Sequence, residues 1–126
     1  LIKNNILIVE DDVIIARCIQ MLMMNLGYNV IGIESTGEGA IKIARENKPD
    51  LVLMDIKLEG YLDGIQTAKQ IIKFYDVKII FISGYLSKKF REEITDIKSF
   101  GFVSKPVSED EISLAIEMAF SKKKQL

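Results

Sequence analysis

Five short, nearly continuous apolar runs punctuate the chain, and between them apolar residues recur at the spacing of a helix. The runs Ile6 to Val9, Val30 to Ile33, Leu51 to Met54, Ile79 to Ile82 and Phe102 to Val103 are rich in Ile, Val and Phe and predict strands. Most are apolar at every position, as expected of strands buried on both faces in a parallel sheet covered by helices. The alternation therefore predicts an α/β fold with right-handed crossovers. No linker or low-complexity stretch interrupts it, so residues 1–126 read as one domain.

The intervening stretches read as helices. The first carries Ile15, Cys18, Ile19, Leu22 and Leu26 and stops at Gly27, with Met21, Met23 and Met24 widening its apolar stripe. On this spacing Cys18 and the methionines are core residues. The second helix carries Ala40, Ile41 and Ala44 and ends before Pro49; the third carries Ile65, Ala68 and Ile72 behind Asp63 as N-cap. The fourth has only a thin stripe, Phe90, Ile94 and Ile97, among charged neighbours, and is the least firmly anchored. The fifth opens on Ser108, Glu109, Asp110 and Glu111, a capping-box pattern, and runs through Ile112, Ala115, Ile116, Ala119 and Phe120 to a solvated turn at Lys122, Lys123 and Lys124.

Composition narrows the function. Seventeen basic residues against 18 acidic ones give a net charge of -1, which offers no electrostatic footprint for nucleic acid or an anionic membrane. No apolar run approaches the ~20 residues of a membrane span. A single cysteine and no secretory leader favour a reducing cytoplasm. The chain contains no histidine, which removes Ser-His and Cys-His nucleophile pairs and His-ligated metals, and assigns any phosphohistidine chemistry to another molecule.

The candidate chemistry lies where the apolar runs end: Glu10, Asp11 and Asp12 after the first, Asp55 after the third, Ser83 after the fourth and Lys105 after the fifth. Ligands of open parallel sheets bind beyond the carboxyl ends of the strands, so these segments are expected to meet in one crevice. Crowded carboxylates repel one another, and a hard, oxygen-loving divalent cation, Mg²⁺, is the natural resolution. With charge so offset, the Asp55 carboxylate is a plausible covalent phosphoryl acceptor, with the Lys105 ammonium and Ser83 hydroxyl available to the phosphoryl oxygens. Taken singly, the Asp pair would read as a helix cap, Ser83-Gly84 as a turn and Lys105 as a loop lysine. Their joint occurrence at strand ends favours the site.

Glu10-Asp11-Asp12, the strand-ending Asp55, Ser83-Gly84 and Lys105-Pro106 resemble, in order and spacing, the response-regulator receiver signature of two-component signalling, over nearly the whole chain. The resemblance implies a flavodoxin-like, doubly wound five-stranded parallel sheet in the order 2-1-3-4-5 with five helices. It implies Asp55 as phosphoacceptor, Asp11 and Asp12 as the acidic Mg²⁺ pair, metal contact from the Lys57 carbonyl, phosphate contact from Ser83 and Lys105, and a cis bond at Lys105-Pro106. Phe102 stands where the family places a rotating aromatic switch residue; Tyr85 is open between surface residue and lid. The implied partners are a sensor histidine kinase or a histidine phosphotransfer protein, and a surface on the fourth helix, fifth strand and fifth helix that a partner or a second copy reads after phosphorylation. The segment Lys57 to Asp63 departs from the pattern: Glu59 stands where proline is common, and the loop is one residue longer, like receivers associated with sensor histidine kinases.

Two other classes share parts of this pattern. Haloacid-dehalogenase-like phosphatases also use an aspartyl nucleophile with Mg²⁺, but theirs closes the first strand with a second Asp two residues on, where this chain has Lys57. A flavin-binding module would need a phosphate loop after the first strand, and Glu10-Asp11-Asp12 would repel the phosphate. The reading is thus a receiver that catalyses only its own phosphorylation and slow dephosphorylation.

Overall fold

The computed structural model describes residues 4–95, 97 and 100–121. Five strands, β1 (Asn5–Val9), β2 (Asn29–Glu34), β3 (Leu51–Asp55), β4 (Lys78–Ser83) and β5 (Phe100–Ser104), alternate with α1 (Val13–Asn25), α2 (Gly37–Asn47), α3 (Gly64–Ile72), α4 (Lys88–Thr95) and α5 (Glu109–Ser121). The strands pair in parallel in the order β2-β1-β3-β4-β5, the doubly wound topology implied by the motifs.

Alternation along the strands divides the interior in two. Leu7, Val9, Val52, Met54, Ile79 and Phe81 face α2, α3 and α4, where Ala40, Ala44, Ile65, Ala68, Ile71 and Ile94 meet them. Ile6, Ile8, Leu51, Leu53, Ile80, Ile82 and Val103 face α1 and α5 and pack on Ala16, Ile19, Met23, Ile112 and Ile116. Each fully buried Ile, Leu or Phe contributes about 1.5–3 kcal/mol relative to exposure, which explains why the continuous apolar runs fall in β1, β3 and β4. The edge strand β2 is only half-buried.

Helix ends follow the sequence signals. Gly27 takes a φ of 88° after α1, Asp63 caps α3 in a reciprocal box with Gln66, and the Ser108 hydroxyl accepts from the Glu111 amide at the start of α5. Two expectations change. The residues of the predicted α1 stripe divide: Ile19 and Met23 are buried, beside Ala16, whereas Cys18, Met21 and Met24 are exposed. Ile97 is buried beyond the end of α4 rather than within it. Lys122, Lys123 and Lys124 lie outside the described residues. No described helix is long and apolar enough to cross a membrane.

Candidate functional site

The parallel register brings the carboxyl ends of β1, β3, β4 and β5 to one edge. Asp55 ends β3 opposite Ile82, and Ser83 ends β4 opposite Ser104. Glu10 directly follows β1 and Lys105 directly follows β5, where its amide donates to the Ser83 carbonyl at 3.0 Å. Gly64, the first residue of α3, packs on the backbone of Asp55: a side-chain carbon there would overlap the Asp55 carbonyl oxygen and stand 2.8 Å from its carbonyl carbon. The Gly64 amide donates to the Ile56 carbonyl at 2.7 Å, so α3 is tied to the strand end that carries the aspartate.

The Lys105 ammonium makes ion pairs with Glu10 Oε1 at 2.7 Å and with Asp55 Oδ2 at 3.3 Å. Glu10 and Asp55 are both buried, at 3% and 6% exposure. Burial raises the Glu10 pKa above the usual carboxylate value and the Asp55 charge adds to this, while Lys105 opposes it. Burial and the neighbouring Glu10 raise Asp11 likewise. For Lys105, burial works to lower the pKa, but its contact with Glu10 and the charges of Asp55 and Glu10 outweigh it and hold the pKa above the ordinary lysine value. The site is thus an acid cluster too negative for one lysine to neutralise.

One carboxylate oxygen from each of Glu10, Asp11 and Asp55 lies within 4.8 Å of the others, and among the described residues this is the group of carboxylates able to hold a metal ion. Glu10 Oε1 is buried and accepts no aligned hydrogen bond, although the Lys105 ammonium lies 2.7 Å away. An all-oxygen donor set with excess negative charge suits a hard divalent cation. An open cleft of about 290 Å³ lies beside Glu10 and Asp11, bordered by Arg17, Glu34 and Ser35.

The structure corrects the sequence reading at Asp12. Its Oδ1 accepts from the amides of Ile14 at 2.9 Å and Ile15 at 3.1 Å, which makes it the exposed N-cap of α1. The carboxylate that joins Asp11 is Glu10, whose other oxygen accepts from the Asp12 amide at 3.2 Å. Half of the signal was present in the sequence: Glu10 directly continues a buried strand, whereas the choice of Asp12 as cap depends on the residue at which the helix starts.

Lys57 lies on the exposed β3–α3 loop, two residues past Asp55. The Ser83 hydroxyl, buried beside the site, donates to the Tyr85 carbonyl at 2.9 Å. The Tyr85 side chain is exposed. Phe102 is 37% exposed on β5 and lines a groove with Leu114, Ala115 and Met118 of α5. The Lys105-Pro106 bond is cis. Cys18, expected in the core, instead lines an apolar groove with Ile14, Leu22, Pro106 and Val107.

The chain matches the family model described as response regulator receiver domain over residues 6–117. It is 36% identical over 117 residues to the phyllosphere-induced regulator PhyR of Methylorubrum extorquens, an alignment that takes in 92% of this chain but 43% of that protein. The chain thus spans less than half the length of that relative. Among solved structures it is similar to the signal receiver domain of a modulated diguanylate cyclase from Desulfovibrio desulfuricans, with a TM-score of 0.91, 36% identity and 98% of each chain covered. The receiver domain of sensor histidine kinase PA1611 from Pseudomonas aeruginosa, solved with a magnesium ion coordinated in its active site cleft, shares the fold at a TM-score of 0.84 and 24% identity, over 96% of this chain and all (100%) of that one.

Proposed function

Since the chain belongs to the response regulator receiver domain family of two-component signalling, we propose that it accepts a phosphoryl group onto Asp55 from a phosphohistidine of a sensor histidine kinase or phosphotransfer protein in the cytoplasm. The observation that carries this reading is the meeting of Asp55 with Glu10, Asp11 and Lys105 at the carboxyl edge of the sheet. An Asp55 carboxylate oxygen attacks phosphorus, the N–P bond of the donor breaks, and its electron pair returns to the partner's imidazole, which takes up a proton. Lys105 meets the negative charge on the transferring oxygens from its position 3.3 Å from Asp55 Oδ2. Glu10, Asp11, Asp55 and the Lys57 carbonyl would hold Mg²⁺, which supplies charge neutralisation at the phosphoryl oxygens. No feature favours the phosphatase reading, since a lysine and not an acid stands two residues after Asp55. Incubation with a small acyl phosphate and Mg²⁺, followed by intact-mass measurement, tests the reading: one added phosphoryl group is expected, and none overturns it.

The cation role separates the two neighbouring aspartates. Asp11→Asn is expected to weaken Mg²⁺ binding by about tenfold or more, about 1.4 kcal/mol, while stabilising the metal-free domain at neutral pH. The sign follows from the raised pKa of Asp11, because a group whose folded pKa is raised contributes stability below its unfolded value and loses it as pH rises through the folded one. Asp12→Ala is expected to cost about 1 kcal/mol as a lost cap and to leave the Mg²⁺ titration unchanged. Calorimetric titration with urea unfolding checks both, and equal Mg²⁺ affinities for the two variants would refute the assignment.

The conformational response runs through Ser83. A phosphoryl group on Asp55 would compete with the Tyr85 carbonyl for the Ser83 hydroxyl, drawing the β4–α4 loop inward and opening space beside β4 for Phe102. The α4, β5 and α5 surface so repacked would be read by a partner or a second copy. NMR shifts on adding beryllofluoride, a phosphoryl mimic, are expected to change across residues 88–95 and 100–120 and to shrink in Ser83→Ala; equal changes in both proteins would refute coupling through Ser83.

A further inference from the structure

The loop from Lys57 to Asp63 is seated on the first turn of a helix that contributes nothing to the acid cluster. Thr36, the N-cap of α2, forms a parallel bridge with Glu59, two residues beyond Lys57. Gly37 lies against the next part of the loop: a side-chain carbon there would stand 3.0 Å from Leu62 Cβ and would overlap the Thr67 hydroxyl of α3. That hydroxyl donates to the Asp63 carbonyl at 2.7 Å, which ties the far end of the loop to the same seat. Gly60, with a φ of 97°, turns the chain beside the Glu38 carboxylate, at 3.1 Å from the place its own side chain would take. Three successive residues, Thr36, Gly37 and Glu38, therefore each meet the loop, at Glu59, Leu62 and Gly60 in turn.

We infer that the first turn of α2 is a positioning element for the metal site, fixing the β3–α3 loop so that the Lys57 segment presents its backbone to the cation beside Glu10, Asp11 and Asp55. The inference rests on the proposed Mg²⁺ role of the site and adds Thr36 and Gly37 as positioning residues. The physical reason is preorganisation. A loop carbonyl held in one place gives up little conformational freedom when a cation binds, whereas an untethered loop of this length loses its freedom at that moment. Gly37 is the critical residue because the close approach of Leu62 and Thr67 leaves no room for a side chain.

The test compares Mg²⁺ titrations by calorimetry, with backbone amide exchange of residues 57–63, in the wild-type domain, Gly37→Ala, Leu62→Ala and Gly39→Ala. Gly39 is a control on the same turn, since a side-chain carbon there meets the flexible end of Glu34, at 2.5 Å from Oε1, and the Thr36 hydroxyl at 3.3 Å, but no atom of the loop. Gly37→Ala is expected to weaken Mg²⁺ binding about tenfold and to speed exchange in the loop, and Leu62→Ala to do both to a smaller extent. Gly39→Ala is expected to bind as wild type. If Gly37→Ala and Leu62→Ala lower thermal stability but bind Mg²⁺ with wild-type affinity, the role is structural only and the inference is overturned. Should Gly37→Ala fail to fold, Leu62→Ala decides on the same criterion. Absence of Mg²⁺ binding to the wild-type domain would instead overturn the functional reading and the positioning role with it.

Discussion

The Asp55→Asn domain is expected to gain no phosphoryl mass from acyl phosphate and Mg²⁺ under conditions that fully modify the wild type, a loss of about 10³-fold or more in rate. Asparagine keeps the shape of the side chain at the end of β3 but removes the nucleophilic carboxylate. The surrounding structure has reason to persist. The Lys105 ammonium retains Glu10 at 2.7 Å, and Gly64 packs against the backbone of residue 55 rather than its side chain. Unfolding in urea should therefore remain cooperative, which separates a lost acceptor from a lost fold. Labelling at the wild-type level would transfer the acceptor role away from Asp55.

Gly64→Ala is the substitution expected to damage the fold most for its size. The atoms that an added methyl group would meet are the Asp55 carbonyl oxygen, the Asp55 carbonyl carbon at 2.8 Å and the Ile56 Cα at 2.9 Å, all backbone and none able to rotate away. Either α3 moves off the end of β3, lengthening the 2.7 Å bond from the Gly64 amide to the Ile56 carbonyl, or the strand end itself shifts. Overpacking of this kind costs about 3 kcal/mol, which for a domain of this size lowers the midpoint of thermal unfolding by on the order of 10 °C. Gly84 supplies the contrast, since a side chain there meets nothing within 4 Å, and Gly84→Ala is expected to be nearly neutral. Equal midpoints for the two variants would refute the packing argument.

The core strands were legible because burial on both faces leaves no polar position to interrupt the run, as in Ile79 to Ile82 of β4. The site was legible for a related reason: once strands are parallel, the residues after them are brought together whatever their separation in sequence, and Asp55, Ser83 and Lys105 met as expected. Less legible was which of three consecutive acids turns inward. Asp11 and Asp12 differ by one residue, and the decision between cluster and cap rests on where the first amide of α1 falls, a boundary set by hydrogen bonds to Asp12 that periodicity does not resolve. Cys18, Met21 and Met24 were misread for a different reason. The apolar stripe of α1 is broader than the surface it covers, and spacing identifies the stripe without saying which of its edges meets the sheet. The seat of the Lys57 to Asp63 loop on Thr36 and Gly37 had no signal at all, since it joins segments that are distant in sequence through backbone approach and not through residue type.

In the proposed metal role, the pairing of one ammonium with a cluster of three acids would set how the site discriminates among ions. Glu10, Asp11 and Asp55 carry three formal negative charges and Lys105 one positive charge, so two remain uncompensated, with Glu10 and Asp55 buried and Asp11 half-buried. A divalent ion cancels that remainder; sodium or potassium leaves half of it in place and still gives up hydration on entry. Selection by charge would thus precede selection by size, and monovalent salts, even when far more concentrated, would make poor competitors for the position.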